Sequence, residues 1–171
     1  MRRRMTGAVL VLGGAMLVTT LYIGSVLATP ASGFVGTTVA MGRVGEFDVF
    51  NKFIPHSGGD VWLSWQKTKG SSDVYVQNNV WQPGGSTGWH THPGHSVIVV
   101  TAGKVTAYEG DDRSCTPTIY ERGMAFVDPG GDHVHLLRNE GNVTASTMTV
   151  QIIPAGATRR IDAADPGNCH F

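Results

Sequence analysis

The chain has 171 residues, 41% hydrophobic and 15% charged, which is enough for one hydrophobic core and too short for two ordinary domains. Its formal net charge is zero, and apart from three arginines at positions 2–4 the basic residues are scattered. A nucleic-acid-binding surface needs clustered positive charge, so we exclude that class of function.

The first predicted element is an export segment over residues 1–28. The three arginines precede an uncharged, largely apolar run that ends at Ala28, and Pro30 follows it. The run also approaches the about 20 helical residues that span a bilayer, so the segment is a signal peptide cleaved after Ala28 or a membrane anchor. Glycine, threonine and serine dilute the run and favour cleavage. In both cases we expect the body outside the cytoplasm, in an extracellular or cell-envelope location.

The rest of the chain is predicted to be all β. Short runs rich in β-branched and aromatic residues alternate with turns rich in Gly, Pro, Asn and Asp, without a useful helical period. Eleven such runs at close spacing are typical of a barrel or sandwich. The predicted strands are 35–40, 46–54, 61–66, 74–81, 88–92, 97–101, 104–109, 118–120, 124–127, 133–138 and 144–153.

We expect residues 34–158 to form the barrel and residues 159–171, which carry few apolar side chains, to form an extended C-terminal tail. The two cysteines, Cys115 and Cys169, both lie in the part predicted to be exported. An oxidising compartment favours a disulfide between them, which would pin the tail to the barrel. Two unpaired thiols are the alternative.

Five of the seven histidines fall in two short windows. His90, His92 and His95 form the first window, and His133 and His135 form the second. Side chains alternate between the faces of a strand, so His90 and His92 point the same way, and so do His133 and His135. Imidazole is a good ligand for several transition metals, and two converging pairs would make a nitrogen-rich metal site.

The sequence around these histidines resembles the two motifs of the cupin family. In the first motif a Gly precedes His-x-His, a Glu and a second Gly, and the matching residues are Gly84, His90, His92 and Gly103. In the second motif a Gly precedes Pro-x-Gly, a His and an Asn, and the matching residues are Gly123, Pro129, Gly131, His135 and Asn139. Two motifs in this order are specific. The resemblance covers residues 74–153 and implies a double-stranded β-helix, the jelly-roll barrel of the cupins.

The resemblance implies that His90, His92 and His135 are ligands of a divalent transition metal, with Fe, Mn, Zn, Cu and Ni as candidates. Ser96 stands where the family places its metal-binding Glu, so the fourth protein ligand is missing and coordination positions stay open. The gap before His135 is also one residue longer than the usual pattern. A barrel that has lost its metal and keeps these histidines for packing is the alternative.

Two other histidines could replace the missing ligand. His133 shares the predicted face of His135, whereas His95 is expected to point away from the site, so we rank His133 above His95 as an extra ligand or proton-transfer group. An exposed loop position for His133 is the alternative. Asn139 is expected to orient His135 or to shape the turn that follows. Nearby carboxylates adjoin turns and are predicted to lie on solvated faces; they are Glu109, Asp111, Asp112, Glu121 and Asp128.

Cupins by resemblance include dioxygenases, isomerases, decarboxylases, sugar-binding sensors and storage proteins, so the fold leaves the function open. The first hypothesis is an exported metal-binding cupin-domain protein, a dioxygenase-like metal-dependent oxidoreductase whose ion binds a small molecule. The alternative is a non-catalytic module that binds a small ligand, which the lack of an evident general base favours. A weaker alternative is a membrane-anchored structural or interaction protein.

The sequence identifies no catalytic residue. Expected partners are a small ligand or substrate, a membrane through the N-terminal segment alone, and a second copy paired through strand edges.

Overall fold

The computed structural model describes residues 28–171. The predicted export segment lies outside the described residues, except for Ala28. Within the described part, all twelve regular elements are strands. No helix of residues 28–171 has the length and apolar character needed to cross a membrane. The all-β prediction for the body is therefore confirmed.

The strands are β1 Ser32–Val44, β2 Asp48–Phe53, β3 Trp62–Lys67, β4 Ser72–Ser86, β5 His90–Thr91, β6 Ser96–Ala102, β7 Lys104–Glu109, β8 Thr118–Glu121, β9 Ala125–Asp128, β10 His135–Arg138, β11 Ala145–Pro154 and β12 Ile161–Asp162. Eleven of them correspond to predicted strands, with most bounds shifted by a few residues. β5 and β10 are shorter than the predicted 88–92 and 133–138. β12 is an addition, because two residues offer no sequence period that could reveal them.

Ten strands form one antiparallel sheet that nearly closes into a barrel, the double-stranded β-helix expected from the sequence. The path runs β12-β5-β10-β4-β11-β6-β9; β1 pairs with β4, and β7 joins β10 to β8. β4 is long enough to pair with β1 on one edge and β11 on the other. This closure brings β5, which carries His90, β10, which carries His135, and the end of β9 to one end of the barrel interior.

Strict alternation of side chains places the core inside the barrel. Along β11, alternate residues from Ala145 to Ile153 are buried, and the residues between them are more exposed. The main apolar cluster comprises Trp81, Val100, Val105, Ala107, Leu137 and Ala145. A second cluster comprises Trp89, Tyr108, Leu136 and Cys169. Trp81 and Trp89, one in each cluster, are both only 1% exposed.

The hairpin of β2 and β3 lies outside this sheet and forms a separate two-stranded sheet. Its apolar side chains, among them Phe50, Phe53, Trp62 and Trp65, are exposed. At its base Asp48 accepts hydrogen bonds from Trp65 Nε1 and Lys67 Nζ, both at 2.7 Å. The hairpin contributes no residue to the histidine site.

The C-terminal segment folds back onto the barrel beside the histidine site. β12 pairs with β5, so that Ile161 lies opposite Thr91 and Asp162 opposite His90. The predicted disulfide between Cys115 and Cys169 is present, with the two Cα atoms 5.2 Å apart. Because Cys169 is buried in the second apolar cluster, the disulfide fixes the end of the chain against β7 and β10.

Candidate metal centre

Three histidines converge at one end of the barrel interior. His90 on β5 and His135 on β10 lie directly opposite each other in an antiparallel pair, with ring centroids 4.3 Å apart. The ring of His92, just beyond β5, is 4.8 Å from that of His90 and 5.5 Å from that of His135. One nitrogen from each ring lies within 4.8 Å of the other two, a spacing at which the three residues could hold one metal ion.

Backbone carbonyls fix the orientation of these rings. The Nδ1 atom of His90 faces the carbonyl oxygen of Gly88 at 2.9 Å, and that of His92 faces the carbonyl of Arg159 at 2.6 Å. A carbonyl oxygen only accepts hydrogen bonds, so Nδ1 must carry the proton in each ring. The lone pair then resides on Nε2, the usual arrangement of a metal-binding histidine whose second nitrogen is held by the protein.

Burial keeps the imidazoles neutral. His90 and His135 are each 4% exposed. Burial, with contributions from the charges of His135, Arg160 and His92, lowers the pKa of His90 to about 2. Burial also lowers the pKa of His135 to about 4, although nearby Asp128 opposes the shift, and burial lowers the pKa of His92. Three neutral imidazoles in close contact are suited to donating lone pairs to a cation.

Asp128 adds a carboxylate to this group. It ends β9 directly across from Ser96 on β6, the position where the cupin motif has Glu. Asp128 is 4% exposed, which shows that its predicted solvated position was wrong. Its Oδ2 atom is buried without a hydrogen-bond partner and lies 3.6 Å from His92 Nε2. A buried carboxylate oxygen without a donor is costly, and a cation shared with His92 would satisfy it.

A tight turn holds Asp128 in this position. Its Oδ1 atom accepts a hydrogen bond from the backbone N–H of Gly130 at 2.9 Å. Gly130 has a φ of 67°, and a Cβ at this residue would lie 2.2 Å from the carbonyl oxygen of Gly94. Only glycine fits there. The Pro-Gly turn of the second motif therefore aims the carboxylate of Asp128 at the histidines.

His133 lies beside this group without joining the three-histidine cluster. Its ring stacks on that of His135 at 5.7 Å, and its Nδ1 atom is 3.8 Å from Asp128 Oδ1. Asp128, His133 and His135 form a second set of atoms spaced closely enough to hold a cation. His133 Nε2 lies 2.7 Å from Oε2 of Glu109, whose pKa is raised by burial. Unlike Asp128, Glu109 keeps 39% of its side chain exposed.

The other two candidates lie elsewhere. His95 contacts Gln66, with the two Nε2 atoms 3.4 Å apart, and points away from the cluster as expected. Asn139 is fully buried and does not contact His135. Its Nδ2 atom donates to the carbonyls of Trp81 and Val143, while its Oδ1 atom accepts from the N–H of Gly141. Asn139 therefore has the turn-shaping role, one of the two that the sequence left open.

A cavity of about 300 Å³ adjoins His90 and His92 inside the barrel. Arg159 and Arg160 form part of its wall. The sequence did not reveal these two arginines, because they lie in the segment that reads as a polar tail. The one available signal in the sequence was the adjacent pair of arginines itself, directly before Ile161. A small molecule in this cavity would lie against the three-histidine cluster.

Comparison with known proteins finds one matching family model and several similar solved structures. The model of the cupin domain family matches residues 80–151. No curated protein matches the chain. Similar solved structures include a cupin-like protein from Thermotoga maritima, 22% identical over 54% of this chain and 65% of its own, with a TM-score of 0.45. A cupin domain from Bordetella pertussis is 19% identical over 66% of this chain and 98% of its own, with a TM-score of 0.40.

Structures of oxalate oxidase are also similar. One, in complex with the substrate analogue glycolate, is 23% identical over 46% of this chain and 41% of its own, with a TM-score of 0.40. The chain spans less than half the length of the oxalate oxidase structures that it matches. The paired histidine motifs and the antiparallel barrel agree with the match of the cupin domain model, which identifies residues 80–151 as a cupin domain.

Proposed function

We propose that this protein is an exported metal-binding cupin whose ion acts on a small molecule in the barrel. The observation that carries this proposal is the convergence of His90, His92 and His135, two of which have Nδ1 fixed by a backbone carbonyl. Packing alone would not require three neutral imidazoles to face one another, whereas a shared ion makes use of all three lone pairs.

Asp128 is proposed as the fourth protein ligand in place of the family's Glu. Ser96 has no carboxylate, but Asp128, which lies opposite Ser96 in the β6–β9 pair, has one. Nitrogen and carboxylate donors together suit Fe, Mn, Zn, Cu or Ni. The ring of His133 stacks on that of His135 and its Nδ1 atom lies 3.8 Å from Asp128 Oδ1, and we assign His133 the role of positioning both residues.

The proposed activity is that of a dioxygenase-like oxidoreductase. A bound transition metal would supply Lewis acidity and, for a redox-active ion, the capacity to activate dioxygen. The chain would bind the small molecule in the adjoining cavity, orient it against the ion and exclude water with the buried walls of Trp81 and Leu137. These are the contributions that a protein makes to metal chemistry.

The second candidate is a non-catalytic module that captures a small ligand. The cavity beside the histidines supports it, because a concave wall of hydrogen-bonding and apolar groups is sufficient for binding. Turnover separates the two candidates. Consumption of dioxygen by the iron- or manganese-loaded protein with a small organic substrate supports the enzyme, and stoichiometric binding without turnover supports the module.

Export is part of the proposal. It is supported by the arginines at positions 2–4, the apolar run that follows, and the disulfide between Cys115 and Cys169, which suits an oxidising compartment. The mass of the protein recovered outside the cytoplasm tests it. Loss of residues 1–28 indicates a cleaved signal peptide, the full mass in a membrane fraction indicates an anchor, and retention in the cytoplasm contradicts export.

Elemental analysis tests the metal proposal. The protein is purified without chelator or metal-affinity steps, alongside His90→Ala and a matched control, His95→Ala. We expect near-stoichiometric transition metal in the wild type and the control, and none in His90→Ala. Absence of metal from the wild type, with none taken up on addition, would contradict a metal-dependent function.

A further inference from the structure

The cavity beside the three-histidine cluster is bordered by two permanently charged basic residues. It contains about 300 Å³, and Arg159 and Arg160 line it together with His90 and His92. Positive groups in a concave, partly dry site attract negative charge more strongly than they would at an open surface. The chemistry of the wall therefore indicates the class of ligand.

Arg159 is half-buried and has neutral partners. Its Nε atom donates to Gln151 Oε1 at 3.2 Å, its Nη1 atom donates to Thr38 Oγ1 at 2.9 Å, and its guanidinium lies over the ring of Tyr75 at 4.3 Å. Within residues 28–171 it forms no ion pair with a carboxylate, although Arg43, Arg138 and Arg160 do. Hydrogen bonds on two sides and a ring beneath hold the group rigidly without neutralising it.

Arg160 brings a second positive charge to the same wall. Its Nη2 atom donates to the carbonyl of Thr87 at 2.7 Å, and its Nε atom lies 2.5 Å from Oδ1 of Asp162. Asp162 is largely exposed, so water screens its charge and the pair is only partly neutralised. Arg160 lines the same cavity as His90 and His92, so its charge lies on the side of the cavity that the histidines share.

The remaining wall is mixed in character. Gln77, Asn79 and Thr149 offer hydrogen bonds, and Phe34, Trp81 and Ile98 offer apolar contact. An inorganic anion has no apolar part to place against these side chains, whereas an organic acid has both a negatively charged group and an apolar part. The planar guanidinium fork also matches the geometry of a carboxylate.

We propose that the cavity binds a small organic carboxylate, with its carboxylate group held by Arg159 and Arg160 and its remainder directed toward the three-histidine cluster. This inference rests on the proposed function for the role of the metal, but the arginine pocket makes its own contribution to binding. The ligand class is therefore a negatively charged acid that is small enough for a 300 Å³ cavity.

Calorimetric titration of the full chain, with and without bound metal, tests the proposal. The probes are acetate, malonate and benzoate, each compared with its neutral amide, together with inorganic phosphate. The variants are Arg159→Gln and Arg160→Gln, with Arg113→Gln, an exposed arginine in a distant turn, as the matched control. We expect at least one carboxylate to bind at least 10-fold more tightly than its amide and more tightly than phosphate. Each pocket variant should weaken that binding by about 10-fold or more, and the control should not change it.

The outcomes separate this proposal from the metal function. Carboxylates that bind no better than their amides, or equally well in both pocket variants, overturn the carboxylate pocket even if metal is bound. Phosphate that binds as tightly as every carboxylate also overturns it. Arginine-dependent carboxylate binding in a protein that takes up no metal supports the pocket and contradicts the metal function. Metal content is measured for each variant to distinguish these cases. Arg159→Gln keeps the backbone carbonyl that orients His92, so this substitution should leave the metal content unchanged.

Discussion

The Nδ1–H group of His92 donates a hydrogen bond to the backbone carbonyl of Arg159 at 2.6 Å, so a candidate metal ligand is oriented by a residue 67 positions further along the chain. The same Arg159 also lines the adjoining cavity. One residue of the C-terminal segment thus contributes to both the candidate metal site and the ligand pocket. The integrity of that segment should affect both.

The first prediction concerns the histidines. We expect His135→Ala to reduce affinity for Zn²⁺ or Mn²⁺ by at least 100-fold, because a three-nitrogen site loses one of its donors. His95→Ala should leave affinity unchanged, since His95 points away from the cluster. Competition with a chromophoric chelator measures both, and circular dichroism checks that the barrel is folded. Equal metal affinity in both variants would refute the three-histidine assignment.

The second prediction concerns Asp128. Asp128→Asn keeps the shape of the side chain but removes its charge, and we expect metal affinity to fall by about 10–100-fold. Asp132→Asn, an exposed neighbour in the same turn, is the matched control and should have no effect. The same chelator competition provides the measurement. If Asp128→Asn bound metal as the wild type does, Asp128 would be neither a ligand nor a partner of one.

The third prediction concerns the pH dependence of stability in the metal-free protein. The folded-state pKa is lowered from the ordinary value of 6.5 to about 2 for His90 and about 4 for His135. Below pH 6.5 the unfolded chain therefore binds more protons than the folded chain, and the free energy of unfolding falls as the pH is lowered. Urea denaturation between pH 7.5 and 5, in the presence of a chelator, should show this loss. That window lies above the range in which most carboxylates titrate.

The matched variant for this measurement is His90→Gln, which removes one titrating group. We expect it to lose less stability than the wild type over the same pH range. The metal-loaded protein should also lose its ion as the pH falls, because protons compete for the same nitrogens. A wild-type stability that stayed constant from pH 7.5 to 5 would mean that the imidazoles are not buried in neutral form.

The fourth prediction concerns the disulfide. Replacing Cys115 and Cys169 together by alanine should reduce the free energy of unfolding by about 2–4 kcal/mol, as is typical of a disulfide that closes a long loop. It should also weaken metal binding, because the released C-terminal segment carries the carbonyl that orients His92. Urea denaturation and metal titration give the two values. Adding reductant should lower the free energy of unfolding of the wild type and leave that of the double variant unchanged. A double variant as stable as the wild type would show that the disulfide does not fix the segment.

Much of this architecture could be predicted from the sequence, because strand alternation and turn residues are local signals. The facing arrangement of His90 and His135 followed from the two motifs. Asp128 did not, because a carboxylate beside Pro-Gly reads as a solvated turn, and only the closure of the barrel places it across from Ser96. Arg159 was missed for a similar reason. Its segment has no strand period, and its position depends on long-range pairing with β5 and on the disulfide.

An anomalous difference map, recorded at the absorption edge of the metal in crystals of the metal-loaded protein, tests the metal site most directly. We expect a single strong peak at about 2.0–2.3 Å from nitrogens of His90, His92 and His135, with a carboxylate oxygen of Asp128 completing the set. A peak bound instead between His133 and Glu109, or no peak within the barrel, would contradict it.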